Sequence, residues 1–499
     1  MSKLIKGTLL LMAAALVTKV LGFVHRIILA DMAGAEGVGL YMMTFPALML
    51  AITVTQLGLP VAISKYVSEA AANKNEQEIR KILTVSLWLT GSLALLLTPL
   101  LFFAAPYIST VLLNDDRTLI PFIAVLPIVP IAAFSAVVRG YFMGRQQMGI
   151  TATGSVIEQS IRILLLIAAV GFLSSKGAAY AAGGAMLAAV VGELCSLLFL
   201  LMMFKFKKQK LTGKSEKSFG ETANQLLKIA LPSAGSRFVG SAAWFLEPII
   251  VMKCLVFTGM AATAVTAEYG LLTGFILPVL LLPSFMTVSL SIALVPSISE
   301  ARALSQERIV MYRITQALRL SAVTGTLCCL LLFLEGETIL TLLYGSAEGL
   351  NLLKIMSLLF IFYYYQGPLH AVLQAFEAAG KAMINSITGS VIKLLSMAGL
   401  MIYFEDITGA AIGLAIGTAA VTFLHFHTVR KMCRISLPIG QYAAILLVSA
   451  CCWLIHTGIL SMDAPVRIMI TIIIFCFLAS RVQLIQRDDW AFFKSFRKN

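Results

Sequence analysis

The sequence predicts an all-α membrane protein of about fourteen transmembrane helices, built as two six-helix lobes in parallel pseudo-two-fold repeat plus two C-terminal helices. Composition carries the first part of that expectation. The 499 residues are 59% hydrophobic and 12% charged, with a mean hydropathy of +0.92, so the chain lacks the polar surface that a soluble protein of this size needs. A repeat carries the second part. Thr153-Gly154-Ser155-Val156-Ile157 recurs as Thr388-Gly389-Ser390-Val391-Ile392, Ser68-Glu69-Ala70 as Ser299-Glu300-Ala301, and Ala35-Glu36 as Ala267-Glu268. Most of the chain therefore holds two copies of one unit.

Apolar stretches of about 20 residues, the length that crosses a bilayer as helix, succeed one another along the chain. They fall near residues 7–30, 41–64, 83–105, 119–142, 152–173, 179–204, 226–252, 269–296, 314–334, 352–376, 384–404, 409–429, 440–460 and 465–482. Segments such as Leu93 to Leu101 are apolar on every side, which excludes the in-out alternation of a membrane β-barrel. An N-terminal Lys3/Lys6 pair before Leu9 to Val17 has the outline of a signal peptide, but the apolar run continues to Ala30 and belongs to the first repeat.

The net charge of +14 is a topological signal. Lys74, Arg80 and Lys81, six lysines from Lys205 to Lys217, Arg302, Arg308 and Arg313, and Arg430, Lys431 and Arg434 occupy alternate loops. The intervening loops hold Asp115 and Asp116, Glu335 and Glu337, Glu405 and Asp406, and Asp463. By the positive-inside rule both termini face the cytoplasm, with anionic lipid headgroups as neighbours and no nucleic-acid partner. The eight cysteines show no metal-type spacing, and no phosphate-binding Gly-rich loop precedes a Lys-Ser/Thr pair. No metal, cofactor or ATPase is expected.

Six spans separate the copies, so both enter the membrane in the same orientation. The expected organisation is an N-terminal lobe 1–204, a basic cytoplasmic linker 205–222, a C-terminal lobe 223–434, helices 13 and 14 within 435–482, and a basic tail 483–499. Prolines interrupt several spans (Pro46 and Pro60, Pro127 and Pro130, Pro248, Pro278 and Pro283, Pro368). They read either as ordinary membrane-helix irregularity or as hinges.

Ionisable residues inside spans are costly and point to function. In span 1, Lys19, Gly22 and Arg26 share one helical face with His25 beside them, a grouping suited to an anion; snorkelling to headgroups is the competing reading. In span 10, Tyr363, Gln366, His370, Gln374 and Glu377 form a polar stripe. Arg237 lies on span 7, where Glu247 precedes Pro248. The two glutamates Glu247 and Glu377 are candidate coupling carboxylates. At the offset of 235 residues set by the Thr-Gly-Ser match, Glu158 corresponds to Lys393, a candidate gate across a cleft; the local alternative pairs Glu158 with Arg162, four residues on. Glu193 reads as a packing residue. No catalytic constellation stands out, so no enzyme is expected.

The runs Leu21-Gly22-Phe23-Val24-His25-Arg26, Gly34-Ala35-Glu36-Gly37-Val38-Gly39-Leu40-Tyr41 and Gln56-Leu57-Gly58-Leu59-Pro60-Val61-Ala62-Ile63-Ser64-Lys65 resemble the stage V sporulation protein B family of endospore-forming bacteria. That family lies in the polysaccharide-transporter branch of the multidrug/oligosaccharidyl-lipid/polysaccharide flippase superfamily, with the lipid II flippases. The resemblance extends over essentially the whole chain. It implies two six-helix lobes around a cavity, outward movement of a lipid-linked peptidoglycan precursor for spore cortex or cell wall, and cavity cations at Arg26, Lys19 and Arg237. Many superfamily members have Arg followed by an acid after the Gly-Phe-x motif, whereas this chain has His25 followed by Arg26, which puts the position of the cation in question by one residue.

Three functions follow as expectations. The first is a flippase for a polyprenyl-diphosphate-linked oligosaccharide in the bacterial cytoplasmic membrane, acting by alternating access as a monomer. The second is an ion-coupled exporter of cationic drugs, and the third a membrane scaffold for spore-envelope assembly.

Overall fold

The computed structural model describes residues 3–206, 217–433, 439–486 and 489. Most of the 205–222 linker, Arg434 and most of the 483–499 tail lie outside the described residues. Among the described residues the chain is helical, with no strand. Packing divides it into two units, Met1–Gly274 and Phe275–Asn499. The first contains α1 (Lys3–Gln56), α2 (Leu59–Ala72), α3 (Glu76–Tyr107), α4 (Leu119–Val125), α5 (Ile128–Gly144), α6 (Met148–Leu173), α7 (Ala178–Phe206), α8 (Phe219–Phe257) and α9 (Ala262–Gly270). The second contains α10 (Leu277–Leu281), α11 (Phe285–Ala303), α12 (Glu307–Leu334), α13 (Gly336–Tyr344), α14 (Leu350–Leu359), α15 (Tyr363–Ala375), α16 (Ala379–Phe404), α17 (Ile407–Cys433), α18 (Ile439–Gly458) and α19 (Ala464–Arg481). Packing and repeat thus divide the chain at different places, because α8 and α9 pack with the N-terminal helices.

Eleven described helical segments are long and apolar enough to cross a membrane, against the fourteen expected. The difference has local causes. The first two expected spans are two helices that meet without a loop at a kink at Gly34, whose φ of 65° and ψ of 178° are non-helical, and together they count as one long segment. The span expected at 352–376 is assembled from α14, a single 3-10 turn Phe360–Phe362 and α15, each too short to cross by itself. Ala443–Gly458 is a shorter apolar helix. Proline placement explains further breaks. Pro60 opens α2 after Leu57 and Gly58, with φ of 46° and 70°, and Pro127 separates α4 from α5. Apolar side chains face outward on these helices, Phe103 at 80% and Leu342 at 82% exposure. Such a surface belongs against hydrocarbon rather than water.

The repeat is readable in the backbone, and it corrects the register. α3 and α12 start at Glu76 and Glu307 (307 − 76 = 231). α6 and α16 are each 26 residues long and start at Met148 and Ala379, the same 231 apart. The preceding turns match as well. Gln146 and Glu377 both have φ 57°, and Gln147 N–H to Phe142 C=O and Ala378 N–H to Leu373 C=O both measure 2.8 Å. The Thr-Gly-Ser match at 235 is therefore four residues out, about one helical turn. A run of small residues on a helix face survives a one-turn slip in sequence comparison, which is why it misleads. In the structural register Lys393 corresponds to Arg162 (393 − 231) and Glu158 to Gly389, so the equivalence of Glu158 with Lys393 does not hold. Neighbouring glycines agree: Gly192 faces the Arg162 Cβ, and a Cβ on Gly417 would overlap that of Lys393.

In the first unit an ion cluster ties three elements together. Arg117 bonds Glu36 of α1, and its Nη2 meets Asp115 Oδ2 at 2.7 Å, while the Thr266 hydroxyl of α9 donates to the same Asp115 oxygen at 2.7 Å. Beside it α1 and α9 touch backbone to backbone. A Cβ on Gly39 would overlap the Thr266 carbonyl, and one on Gly270 the Ala35 carbonyl. Burial opposes the Asp115 charge, but the Arg117 and Thr266 hydrogen bonds and the Arg117 charge outweigh it and hold the carboxyl below its ordinary value of 3.8. In the second unit Glu335 plays the matching part. Hydrogen bonds from Arg467 at 2.6 and 2.9 Å hold its carboxyl low, against burial and helped by Thr338.

Asp115→Asn is expected to destabilise the protein by about 2 kcal/mol, the scale of hydrogen bonds to a charged group, measured by thermal unfolding in detergent. Because the folded pKa is depressed, this contribution is present above pH 3.8 and disappears as pH falls through the lower folded value. The gap between wild type and variant should close on acidification.

Candidate functional site

Within the first unit, α1, α6 and α8 enclose a cavity of about 140 Å³. Its polar lining is His25 and Arg26 from α1 and Gln159 and Arg162 from α6. Phe45, Tyr41 and Trp244 give it an aromatic wall: His25 and Tyr41 centroids are 6.2 Å apart, Tyr41 stacks on Phe45 at 5.7 Å, and Phe45 meets Trp244 edge-on at 5.6 Å. Gly22 also lines it, and nothing lies within 4 Å of where its Cβ would be. The open space on that face belongs to the cavity.

The lining is polar and incompletely satisfied. His25 is 5% exposed and neither of its ring nitrogens has a hydrogen-bond partner. The buried Nε of Arg162 also lacks one. Buried polar atoms in proteins are almost always paired, and each unpaired one costs about 1–3 kcal/mol. Three such atoms around one cavity, two of them on a residue beside Arg26, mark a place for a polar guest.

Behind the cavity, α5, α6 and α7 share a four-residue ion network. Glu158 Oε1 accepts from Arg162 Nη2 at 2.9 Å, and Glu158 Oε2 from Arg139 Nη2 at 3.1 Å. Arg139 also lies 3.5 Å from Glu193 and donates to the hydroxyls of Ser155 at 2.8 Å and Ser196 at 3.0 Å. All four side chains are at most 23% exposed. Both oxygens of Glu158 are thus engaged inside its own unit, Arg162 among the partners. Gly192 of α7 lets the α6 backbone approach closely enough to place these groups together.

The other sequence-derived candidates lie apart from this cavity. Lys19 and Arg237 are exposed and are not in its lining. Glu247 is buried on α8, one turn beyond Trp244. In the second unit Gln366 donates to the Thr418 carbonyl at 2.9 Å, so its amide is used in helix packing. His370 is exposed, with its ring 6.0 Å from that of His425. Lys393 is half-buried. The polar stripe of span 10 is shorter than expected: α15 ends at Ala375, where Arg302 donates to the last carbonyl at 2.6 Å, and Glu377 sits in the following turn with φ 57°. Proximity of the next helix start forces that turn, and it takes Glu377 off the stripe.

Sequence reasoning missed Arg139, Gln159 and the part played by Glu193. Arg139 lies three residues before the expected end of its span, where an arginine reads as a headgroup anchor. Gln159 carried a signal, standing three residues before Arg162 on the same helix face.

A duplicated helical fold with a cationic, aromatic-walled cavity defines a multi-pass membrane protein with an internal polar site, and comparisons with known proteins give its family. The family model described as "Polysaccharide biosynthesis protein" matches residues 4–302. Stage V sporulation protein B of Bacillus subtilis (strain 168) is 45% identical over 464 residues, covering 91% of this chain and 89% of that protein. The lipid II flippase MurJ of the same organism is 27% identical, covering 86% and 83%. Among solved structures, a lipid II flippase MurJ in an inward closed conformation superposes with a TM-score of 0.72 at 17% identity over 97% of this chain and 100% of that one. An inward-facing multidrug resistance MATE family transporter of the MOP superfamily gives 0.68 at 17% identity over 84% and 94%; at such identity these likenesses concern the fold. The chain belongs to the stage V sporulation protein B family of polysaccharide biosynthesis proteins, a family of multi-pass membrane proteins whose relatives are flippases and transporters rather than enzymes.

Removing the centre of the ion network should be costly. Arg139→Leu leaves Glu158 and Glu193 facing each other and is expected to destabilise by about 3–5 kcal/mol, the cost of breaking a buried pair. Gln366→Ala, which loses one neutral hydrogen bond, should cost about 1 kcal/mol in the same unfolding measurement.

Proposed function

We propose that this protein is a flippase that moves a lipid-linked oligosaccharide outward across the bacterial cytoplasmic membrane by alternating access. Its substrate in this reading is a polyprenyl-diphosphate-linked peptidoglycan precursor for spore cortex or cell wall. The observation that carries it is the 140 Å³ cavity lined by the guanidinium groups of Arg26 and Arg162, with unpaired polar atoms on the His25 ring and at the Arg162 Nε. A diphosphate cannot enter hydrocarbon unaided, since one charge at the bilayer centre costs at least about 2.5–3.5 kcal/mol. Guanidinium groups replace its water, and the polyprenyl tail stays in lipid. Kinship with stage V sporulation protein B and with a lipid II flippase supports the substrate class.

The distribution of basic loops supports a topology with both termini in the cytoplasm. With the interior negative, outward movement of a doubly charged anion gains about 4.6 kcal/mol per 100 mV, twice the single-charge value. That gain drives transport without a nucleotide, and one chain with its own cavity suffices as a monomer. Within this reading the repeat lobes 1–204 and 223–434 are the moving bodies. Lys19, Arg237 and His370 are secondary contacts along the path, Gln366 serves helix packing instead, and Glu247 and Glu377 have no assigned part. A cationic-drug exporter is disfavoured because no carboxylate among the described residues lines the cavity and Glu158, which pairs with its Arg162, is already held by two arginines.

The test is reconstitution in liposomes with a fluorescent polyprenyl-diphosphate sugar, measuring its transfer between leaflets under an imposed potential. Wild type should accelerate transfer, and Arg26→Ala should slow it at least about 100-fold, two tenfold steps of about 1.4 kcal/mol each. Transfer unaltered by Arg26→Ala, or absent altogether while cationic dyes are exported, would overturn the proposal in favour of the exporter. Absence of both activities would favour the scaffold.

A further inference from the structure

We propose that Glu158 is a resident counter-ion that makes the cavity selective for doubly charged lipid anions: it occupies Arg162 until a group of higher negative charge displaces it. The inference rests on reading the cavity as a lipid-diphosphate site and adds the residue that sets its selectivity.

Arg162 faces two ways. Its Nη2 donates to Glu158 at 2.9 Å, while its Nε is buried without a partner, and the residue lines the cavity. A guest anion therefore finds Arg162 partly engaged and partly open. Glu158 can release it without becoming an orphan, because its second oxygen is held by Arg139 at 3.1 Å. Arg139 is in turn fixed by Ser155, Ser196 and Glu193. Exchange of Arg162 from Glu158 to a guest thus leaves Glu158 hydrogen-bonded to Arg139, which it then shares with Glu193, rather than orphaned, and an orphaned charge is what makes breaking a buried pair so costly.

The competition sorts ligands by charge. A phosphodiester carries one negative charge, as Glu158 does, so a phospholipid headgroup gains little by taking the place of a carboxylate already hydrogen-bonded to the guanidinium. A diphosphate brings a second charge, and Coulomb attraction scales with it. Singly charged phospholipids surround any such protein in large excess, and a built-in competitor against the wrong ligand is one of the two routes to specificity. His25, with two unpaired ring nitrogens in the same wall, is placed to meet the guest's oxygens. The second copy has no such device: in the 231-residue register Glu158 corresponds to Gly389.

The experiment measures binding of two probes to the purified protein in nanodiscs of uncharged lipid: a fluorescent polyprenyl diphosphate without sugar, and a fluorescent phosphatidylglycerol. Glu158→Gln should tighten phosphatidylglycerol binding about tenfold with less effect on the diphosphate, so that the ratio of the two affinities falls. Arg162→Ala should weaken diphosphate binding about tenfold, and in the double variant the effect of Glu158→Gln should vanish, since the coupling runs through that pair. A purely structural part for Glu158 would lower thermal stability and shift both affinities together, leaving their ratio constant. That result, or an equal change of ratio when Glu158→Gln is made in the Arg162→Ala background, overturns the proposal. Should Glu158→Gln fail to fold, Arg162→Ala decides: Arg139 keeps Glu158 paired in that variant, and undiminished diphosphate binding sinks the inference. Diphosphate binding that depends on Arg26 but not on Arg162 would remove this inference alone; none by wild type would remove the underlying reading too.

Discussion

Inside a bilayer no water is at hand to satisfy a stray polar group, so every charge within the helices must be matched by another part of the protein. The Arg139, Glu158, Arg162 and Glu193 network meets that demand on three consecutive helices, and much of the first unit's local architecture serves it. Gly192 removes a side chain so that α6 and α7 can approach, and Ser155 and Ser196 take up the remaining donors of Arg139. The cavity in front of the network departs from the same rule. Two ring nitrogens of His25 and the Nε of Arg162 stay unmatched, and the departure falls beside Arg26, where a charged guest has reason to sit.

The two copies have diverged in how they use their polar residues. In the structural register Arg139 corresponds to His370, Glu158 to Gly389 and Arg162 to Lys393, so the second copy keeps basic residues or histidine where the first has arginine, and loses the acid. Its buried polar interactions have gone instead to packing, as in the Gln366 bond to the Thr418 carbonyl and the Asn385 bonds to His425 and Thr428. Ion clusters at the helix ends, Asp115 with Arg117 and Glu335 with Arg467, fasten each unit by itself.

Much of the fold was legible in the sequence because hydrocarbon imposes a uniform rule on composition: spans, their order and the alternation of basic and acidic loops follow from apolar length and lysine placement. Arg26 and His25 were legible for the same reason, as polar residues where none is tolerated idly. Three features were not. Span 10 is broken into short helices by its own turns, and the first two spans meet at a kink at Gly34 without a loop, details of helix continuity that hydropathy does not carry. The Thr-Gly-Ser match pointed one turn away from the true register, since local identity along a helix tolerates such a slip. Glu193 read as a packing residue and Arg139 drew no reading, because their meaning depends on each other.

The sequence by itself determined that this is a duplicated helical membrane protein of the stage V sporulation protein B family, with cations inside its spans, since those facts depend on composition, repetition and motif. Only the tertiary structure decided which charges meet. Glu158 lies 19 residues from Arg139 and Glu193 lies 54 (193 − 139), separations at which helix periodicity carries no information, and their contact arises from how closely α5, α6 and α7 pack. A charge inside a membrane acquires its role from its partners, and partners on different helices are set by packing in three dimensions.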